Sequence, residues 1–147
     1  MKIETTRFGQ ISIQTEKIIQ MPHGIPGFPD QRQFVIFEHR HDSPFLWYQS
    51  VDEPALAFVI TDPFLFKPEY DIDIPTILED LNWDPEPQPD QVQLYVIVNI
   101  PKGNPEQMTA NLMGPILLNQ ATREAVQVVL TDGNYSHSVP LLAGKSN

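Results

Sequence analysis

Residues 91–99 read QVQLYVIVN, a stretch in which apolar and polar side chains largely alternate. Successive side chains of a β-strand point to opposite faces. Val92, Leu94, Val96 and Val98 would therefore share one face, with Gln93 on the other. A period of two over this length predicts a β-strand with one apolar face.

The same period recurs on both sides of this stretch, in short pieces separated by fifteen prolines and seven glycines. Two pieces, 34–37 and 57–60, are apolar throughout, as expected for strands covered on both faces. Short strands joined by tight turns predict a mainly β fold, either a single-domain antiparallel β-barrel or a strongly bent sandwich. The predicted strands are 2–6, 10–14, 17–20, 33–38, 45–50, 56–61, 91–99, 107–113, 115–119, 124–130 and 135–139.

One segment carries helical signals instead. Thr76 and Glu79 have the spacing of a capping box, and the apolar residues that follow Thr76 share one helical face. This spacing predicts one short helix over 75–83. Glu79 and Asp80 are then expected near its start, at the positive end of the helix dipole.

The length and composition indicate one soluble domain. A chain of 147 residues fits a single core, which we expect over about 2–142, with 143–147 as a flexible tail. The first seven residues lack the apolar core of a signal peptide, and no apolar run approaches the roughly 18 residues of a membrane span. There is no cysteine, which is compatible with a reducing compartment. We therefore expect a cytoplasmic protein that does not associate with a membrane.

The charge of the chain is concentrated in residues 52–90, which we call the acidic segment. It holds eleven Asp and Glu residues and a single basic residue, Lys67, while the rest of the chain is balanced. It also carries the aromatic residues Phe64, Phe66, Tyr70 and Trp83. Such a surface attracts a basic protein electrostatically and can hold it through aromatic contacts. Direct binding of DNA or RNA needs a basic face, so the composition argues against it.

Residues that could support catalysis or bind a metal do not form a recognisable pattern. His39 and His41 could form a metal pair, but no third histidine is near in sequence. The run Asp71-Ile72-Asp73 lacks the glycine and the spaced glutamate of a calcium loop. Ser136 and His137 are neighbours, and in a strand they would point to opposite faces. The sequence therefore predicts a protein that is not an enzyme and has no metal or cofactor.

The turn at 23–29 reads HGIPGFP, with two glycines around a proline. Such a turn can reach backbone angles closed to other residues. It is either a plain connector between strands or a rigid loop that presents Ile25 and Phe28.

Several segments form a joint pattern that runs from the first strand to about residue 142. The segments are HGIPGF (23–28), FLWYQS (45–50), PALAFVI (54–60), DP (62–63) with PEY (68–70), TANL (109–112), PILLN (115–119) and QVVL (127–130). In this order they resemble the FliW family of bacterial flagellar assembly factors. Tyr48 departs from the pattern, because an aliphatic residue is expected there. Asn111 and Asn119 belong to the pattern and are expected to fix strand and turn backbone.

The resemblance implies a partner switch without a cofactor. FliW-like proteins bind flagellin in the cytoplasm. When flagellin is exported, the freed protein captures the translational regulator CsrA and relieves its repression of flagellin translation. CsrA binds RNA and is expected to carry basic surface, so the acidic segment would complement it.

Together the resemblance and the charge pattern suggest two sets of contact residues. An alternative function is a small β-barrel enzyme or a carbohydrate-binding module that uses surface carboxylates. The CsrA set is Phe66, Tyr70, Asp71, Asp73, Glu79 and Asp80. The flagellin set is Ile25, Phe28 and Phe64.

Overall fold

The computed structural model describes residues 1–38, 40–131 and 135–142. Eleven strands and one α-helix lie in these ranges, joined by short 3-10 turns. The helix, α1, spans Ile74–Leu81. The strands are β1 (Lys2–Thr5), β2 (Gly9–Ser12), β3 (Ile19–Gln20), β4 (Gln33–Phe37), β5 (Phe45–Ser50), β6 (Ala57–Thr61), β7 (Val92–Asn99), β8 (Thr109–Ala110), β9 (Ile116–Asn119), β10 (Glu124–Gln127) and β11 (Val139–Pro140).

The main sheet closes into a ring in the order β7-β6-β5-β4-β3-β10-β9 and back to β7. Closure depends on β7, which pairs with β9 through Val92 to Tyr95 and with β6 through Val96 to Val98. Every pairing is antiparallel except β3 with β10. β8 and β11 extend the sheet beyond the ring, and β1 with β2 forms a separate hairpin. The predicted antiparallel barrel is confirmed, with one parallel seam.

The strands of the ring bury two clusters, one on each face. We call the first the inner cluster, because alternate residues of all seven ring strands contribute to it or pack against it. The second, the outer cluster, covers the outside of the sheet beneath α1. The inner cluster contains Ile19, Met21, Ile25, Phe34, Tyr48, Ile60, Ile116, Leu118 and Ala125. The outer cluster contains Tyr70, Leu78, Leu94, Val96, Val98, Met108, Ala110, Leu112, Leu117 and Leu141.

Strand β7 shows how the sequence pattern separates these clusters. Its predicted apolar face, with Leu94, Val96 and Val98, lies in the outer cluster. The opposite face carries Tyr95 and Ile97, which pack against the inner cluster. Both faces of β7 are therefore covered, and its strand length is close to the prediction.

Tyr48 fits the barrel although it departs from the family pattern. Its ring stacks on Phe34 with a centroid distance of 4.5 Å and an interplanar angle of 4°. Its hydroxyl donates to the Met21 sulfur at 2.9 Å, so the buried polar atom has a partner. Burial raises the pKa of the Tyr48 phenol above its ordinary value, which keeps the group neutral.

The helix begins at Ile74, one residue before the predicted start at 75, but the predicted N-cap was wrong. Asp73 is the N-cap, because its carboxylate accepts a hydrogen bond from the Thr76 backbone N–H at 3.2 Å. The Thr76 hydroxyl donates to the same carboxylate at 2.8 Å, so Thr76 lies inside the first turn. Pro75 also fits this turn, where its missing N–H is not needed. The helix is therefore capped by the Asp73 carboxylate, and Thr76 and Glu79 do not form the predicted capping box.

The helix also ends earlier than predicted, at Leu81. Asn82 adopts a left-handed backbone with φ 57°, a common way to stop a helix. Glu79 and Asp80 consequently lie in the last turn, at the negative end of the helix dipole. The prediction that they lie at the positive end was wrong. Their charges oppose the dipole and do not stabilise α1.

Several strands are shorter than predicted because turns interrupt the alternating pattern. The prediction 107–113 shrinks to β8, since Pro105–Gln107 forms a 3-10 turn and the Asn111 side chain accepts from the Gly114 N–H at 2.9 Å. Asn119 likewise accepts from the Ala121 N–H at 3.0 Å in the β9–β10 turn. The backbone-fixing role of both asparagines is thus confirmed. The predicted tail 143–147 lies outside the described residues.

Candidate protein-binding surface

The strand β6 ends in a tight turn that exposes two large apolar side chains. The Asp62 carboxylate accepts from the Phe64 N–H at 2.9 Å and so caps the 3-10 turn Pro63–Leu65. Phe64 is 38% exposed and Leu65 61%. Single exposed apolar residues are ordinary, but two adjacent ones on a capped turn form a fixed apolar point at the surface.

Tyr70 supports this surface from beneath. Only 4% of it is exposed, and its hydroxyl donates to the Leu112 carbonyl at 2.6 Å. Its ring lies 5.8 Å from Phe64 and 4.8 Å from Tyr135. The predicted CsrA set includes Tyr70. The structure places Tyr70 in the outer cluster, so its side chain does not project from the surface as an anchor would.

Two other aromatic residues fasten the acidic segment to the barrel. Phe66 is half-buried and stacks on Phe45 with a centroid distance of 5.7 Å. Trp83 packs against the outer cluster, and its indole N–H donates to the Glu124 carboxylate at 3.2 Å. Part of the Phe66 side chain is therefore exposed, and its packing against Phe45 fixes its position.

The four acidic residues predicted to contact CsrA are exposed, and we call them the acidic rim. They are Asp71, Asp73, Glu79 and Asp80. The ion pairs found among the described residues join positions between 38 and 42, so none neutralises this rim. Asp71 is held through its backbone N–H, which donates to the Tyr135 hydroxyl at 2.7 Å. The rim thus combines free charge with a fixed backbone.

A shallow cleft of about 420 Å³ opens beside the rim. Tyr70 and Leu112 form part of its apolar lining, and Lys67 and Glu69 supply opposite charges at its border. The cleft can accept an apolar side chain of a partner whose neighbouring charges are basic. Ser136 also lines it, while His137 is exposed and shares no hydrogen bond with that serine in the described part of the chain.

The turn at 23–29 places its two predicted contact residues differently. Ile25 is 3% exposed and belongs to the inner cluster, whereas Phe28 is 42% exposed. The Phe28 N–H donates to the Ile25 carbonyl at 2.7 Å, which closes the turn. Gly24 has φ 65°, and a Cβ there would lie 2.7 Å from the Phe28 carbonyl oxygen. The turn is therefore rigid, and of the two only Phe28 offers substantial surface.

The flagellin set does not form one patch. The Phe28 ring contacts Phe58, near the start of β6, with a centroid distance of 6.0 Å. Phe64 follows the other end of the same strand and lies beside Tyr70. The structure thus groups Phe64 with the acidic segment and separates it from Phe28.

Leu65 was missed in the sequence, although it is the more exposed member of the apolar pair. The Asp62-Pro63 dipeptide was a usable signal, because Asp at the cap and Pro at the first position start a tight turn. His39, one member of the metal pair considered in the sequence, lies outside the described residues. No group of three metal-binding side chains, and no helix suited to cross a bilayer, occurs within 1–38, 40–131 and 135–142.

Comparisons with known proteins agree with the family resemblance. The family model described as FliW protein matches residues 2–141. A flagellar assembly factor FliW from Syntrophus aciditrophicus is 45% identical over 92% of this chain and 84% of its own length. One from Alkaliphilus metalliredigens is 44% identical over 92% and 82%. A crystal structure of the flagellar assembly factor FliW superposes with a TM-score of 0.85 at 38% identity, covering 99% of each chain.

Proposed function

The chain belongs to the FliW family of flagellar assembly factors, and from that premise we propose that it is a partner switch. It binds flagellin in the cytoplasm, and when free of flagellin it binds CsrA and relieves the repression of flagellin translation. The observation that carries this proposal is that the acidic rim is exposed and belongs to the same segment as the exposed Phe64 and Leu65.

The rim suits a basic partner because its charges are accessible and uncompensated. The rim belongs to the acidic segment, whose eleven acidic side chains and one lysine attract a basic protein over a distance of about one Debye length, roughly 8 Å at physiological salt. Apolar groups at the centre of such a surface then supply most of the contact energy. Phe64, Leu65 and the exposed part of Phe66 can serve as that centre.

The turn around Phe28 suits a different partner. No acidic run borders it in the sequence, and its rigid backbone holds an aromatic side chain at the surface. An amphipathic helix of flagellin could pack its apolar face on Phe28. We assign flagellin to this turn and CsrA to the rim, with Phe64 moved from the flagellin set to the rim.

A charge-reversal variant tests the rim. Asp71→Lys, Glu79→Lys and Asp80→Lys together leave the Asp73 cap intact. We expect slower association with CsrA and a weaker dependence of the affinity on salt, because exposed charges act mainly on encounter. The measurement is surface plasmon resonance at several salt concentrations.

The matched control reverses three exposed acidic residues outside the acidic segment: Glu16→Lys, Asp30→Lys and Glu106→Lys. It makes the same change in net charge, so it separates the effect of the rim from that of total charge. Equal losses in both triple variants, or no loss in the rim variant, would remove the rim from the proposed function.

Phe28→Ala tests the second surface. If Phe28 is an anchor, flagellin binding should weaken by about 2 kcal/mol or more, with CsrA binding unchanged. Val129→Ala, at another exposed apolar residue, serves as the control. A large drop in the melting temperature of Phe28→Ala would assign Phe28 to the barrel. Equal losses for both partners would show that they share one surface.

A further inference from the structure

A cavity of about 560 Å³ is lined by residues of β4, β7, β9 and the β9–β10 turn, and no residue of the acidic rim lines it. Tyr95 and Leu118, which face the inner cluster, form part of its floor. Its polar lining consists of Lys17, Gln93, Gln120, Arg123 and the Tyr95 hydroxyl. Two cations and no carboxylate line this cavity, although the net charge of the chain is −10.

The β9–β10 turn fixes Arg123 in this cavity. Its N–H donates to the Asn119 carbonyl at 2.8 Å, and its own carbonyl accepts from the Gln20 N–H at 2.8 Å. Its φ is 62°, a left-handed conformation that is uncommon for a residue with a Cβ. An arginine does not favour this backbone conformation, so the hydrogen bonds of the surrounding turn must hold Arg123 in it.

The guanidinium group of Arg123 is only partly satisfied. One terminal nitrogen donates to the Lys17 carbonyl at 2.9 Å. Its Nε is buried and has no hydrogen-bond partner. Neither ion pair found in the described part of the chain involves Arg123. The other terminal nitrogen has no hydrogen-bond partner in the described part of the chain, so a bound anion would supply an acceptor for it.

The other polar residues of the cavity supply further donors. The Gln120 side chain donates to the Gln93 carbonyl oxygen, which leaves the Gln93 amide N–H groups available. Burial raises the pKa of Tyr95, although Arg123 lowers it and Asp62 raises it further. The phenol is therefore neutral at physiological pH and can donate its O–H. Arg, Lys, amide and phenol donors around one cavity match an oxyanion.

We propose that this cavity binds a small organic anion through Arg123, Lys17 and the Gln93 amide. Its volume falls in the range of about 300–1,000 Å³ that is common for small-molecule sites. The planar guanidinium favours a carboxylate or phosphate group, which it can contact with two parallel hydrogen bonds. This site is independent of the partner switch, because it involves neither the rim nor Phe28.

The test measures binding of two probes, citrate and inorganic phosphate, to the full chain. Calorimetric titration and thermal melting are run at constant pH and ionic strength, with sodium chloride as the reference salt. We expect saturable binding and a melting temperature that rises and levels off with probe concentration. Tighter citrate binding would assign the site to carboxylates, and tighter phosphate binding to phosphate esters.

Variants connect the binding to the cavity. Arg123→Gln should weaken binding by about tenfold or more, since it removes hydrogen bonds to a charged group. Lys17→Gln should weaken it by about threefold, because the lysine head group is solvent-screened. Lys102→Gln, at an exposed lysine elsewhere, should bind as the parent does.

Arg123→Gln also loses the bond to the Lys17 carbonyl and could unfold the turn. Lys17→Gln and Tyr95→Phe avoid this problem, because neither side chain makes a hydrogen bond within the described structure that the substitution would remove.

Citrate and phosphate also stabilise folded proteins by exclusion from the surface. A melting temperature that rises without saturation and equally in all variants, or unchanged affinity in both Lys17→Gln and Tyr95→Phe, would overturn the site.

Discussion

Strands β4 and β5 and the part of the acidic segment that follows β6 both carry aromatic side chains, but the most deeply buried of these side chains lie in the strands and the most exposed one follows β6. Phe34 and Tyr48 stack inside the ring and have almost no exposed surface. Phe64 lies on a capped turn, with Tyr70 beneath it. The comparison shows that aromatic content alone does not identify a binding surface. An aromatic side chain is available to a partner only where the local backbone, such as the turn at Phe64, holds it outside the packed sheet.

The largest expected effect tests the interior of the ring. Phe34→Ala should lower the free energy of unfolding by about 3–5 kcal/mol, because it leaves a cavity against Tyr48 in the inner cluster. Phe64→Ala is the control and should cost less than about 1 kcal/mol, since that ring is already partly in water. Urea denaturation measures both. Equal costs would show that Phe64 is as structural as Phe34.

A smaller effect is expected at Tyr70, which lies in the acidic segment but behaves as part of the barrel. Tyr70→Phe removes the donor to the buried Leu112 carbonyl and should cost about 1–3 kcal/mol of stability. CsrA binding, measured where the variant is folded, should stay unchanged. Lost binding with unchanged stability would mean that the Tyr70 hydroxyl contacts the partner after all.

The start of α1 should respond more weakly still. Asp73→Ala removes the N-cap and should cost about 1 kcal/mol. Thr76→Ala should have nearly no effect, since alanine favours a helix interior and the cap carboxylate remains. Thermal melting followed by circular dichroism compares the two. A greater loss at Thr76 than at Asp73 would restore the capping box predicted from the sequence.

The smallest effect concerns the end of α1. Glu79 and Asp80 oppose the helix dipole in its last turn, so Glu79→Gln with Asp80→Asn should raise stability by about a few tenths of a kcal/mol. The same double variant should slow association with CsrA. A gain in stability together with a loss of binding would show that Glu79 and Asp80 act in binding and not in folding, because the loss could not result from unfolding. Lower stability would contradict the dipole argument.

The parts of the fold that were predictable depend on local pattern. Strand β5 has the bounds expected from 45–50, because alternation and flanking turns lie within a few residues. The role of Tyr70 depends on a carbonyl 42 positions away, which no local pattern reveals. Asp73 and Thr76 are both suitable N-cap residues, and only the backbone geometry shows that Asp73 is the cap. Arg123 belongs to an ordinary-looking turn, so nothing in its sequence marked the cavity.

The parallel seam between β3 and β10 also sets the order in which the protein can fold. Strands β3 to β7 follow one another as antiparallel neighbours, so they can pair as they leave the ribosome. The bond from Arg123 to the Lys17 carbonyl spans 106 positions, so the ring cannot close before β10 has been synthesised. Contacts between such distant positions slow folding, because the long loop must be ordered first. Until then the edge of β3 is exposed, and a nascent chain would be most prone to wrong pairing at that edge.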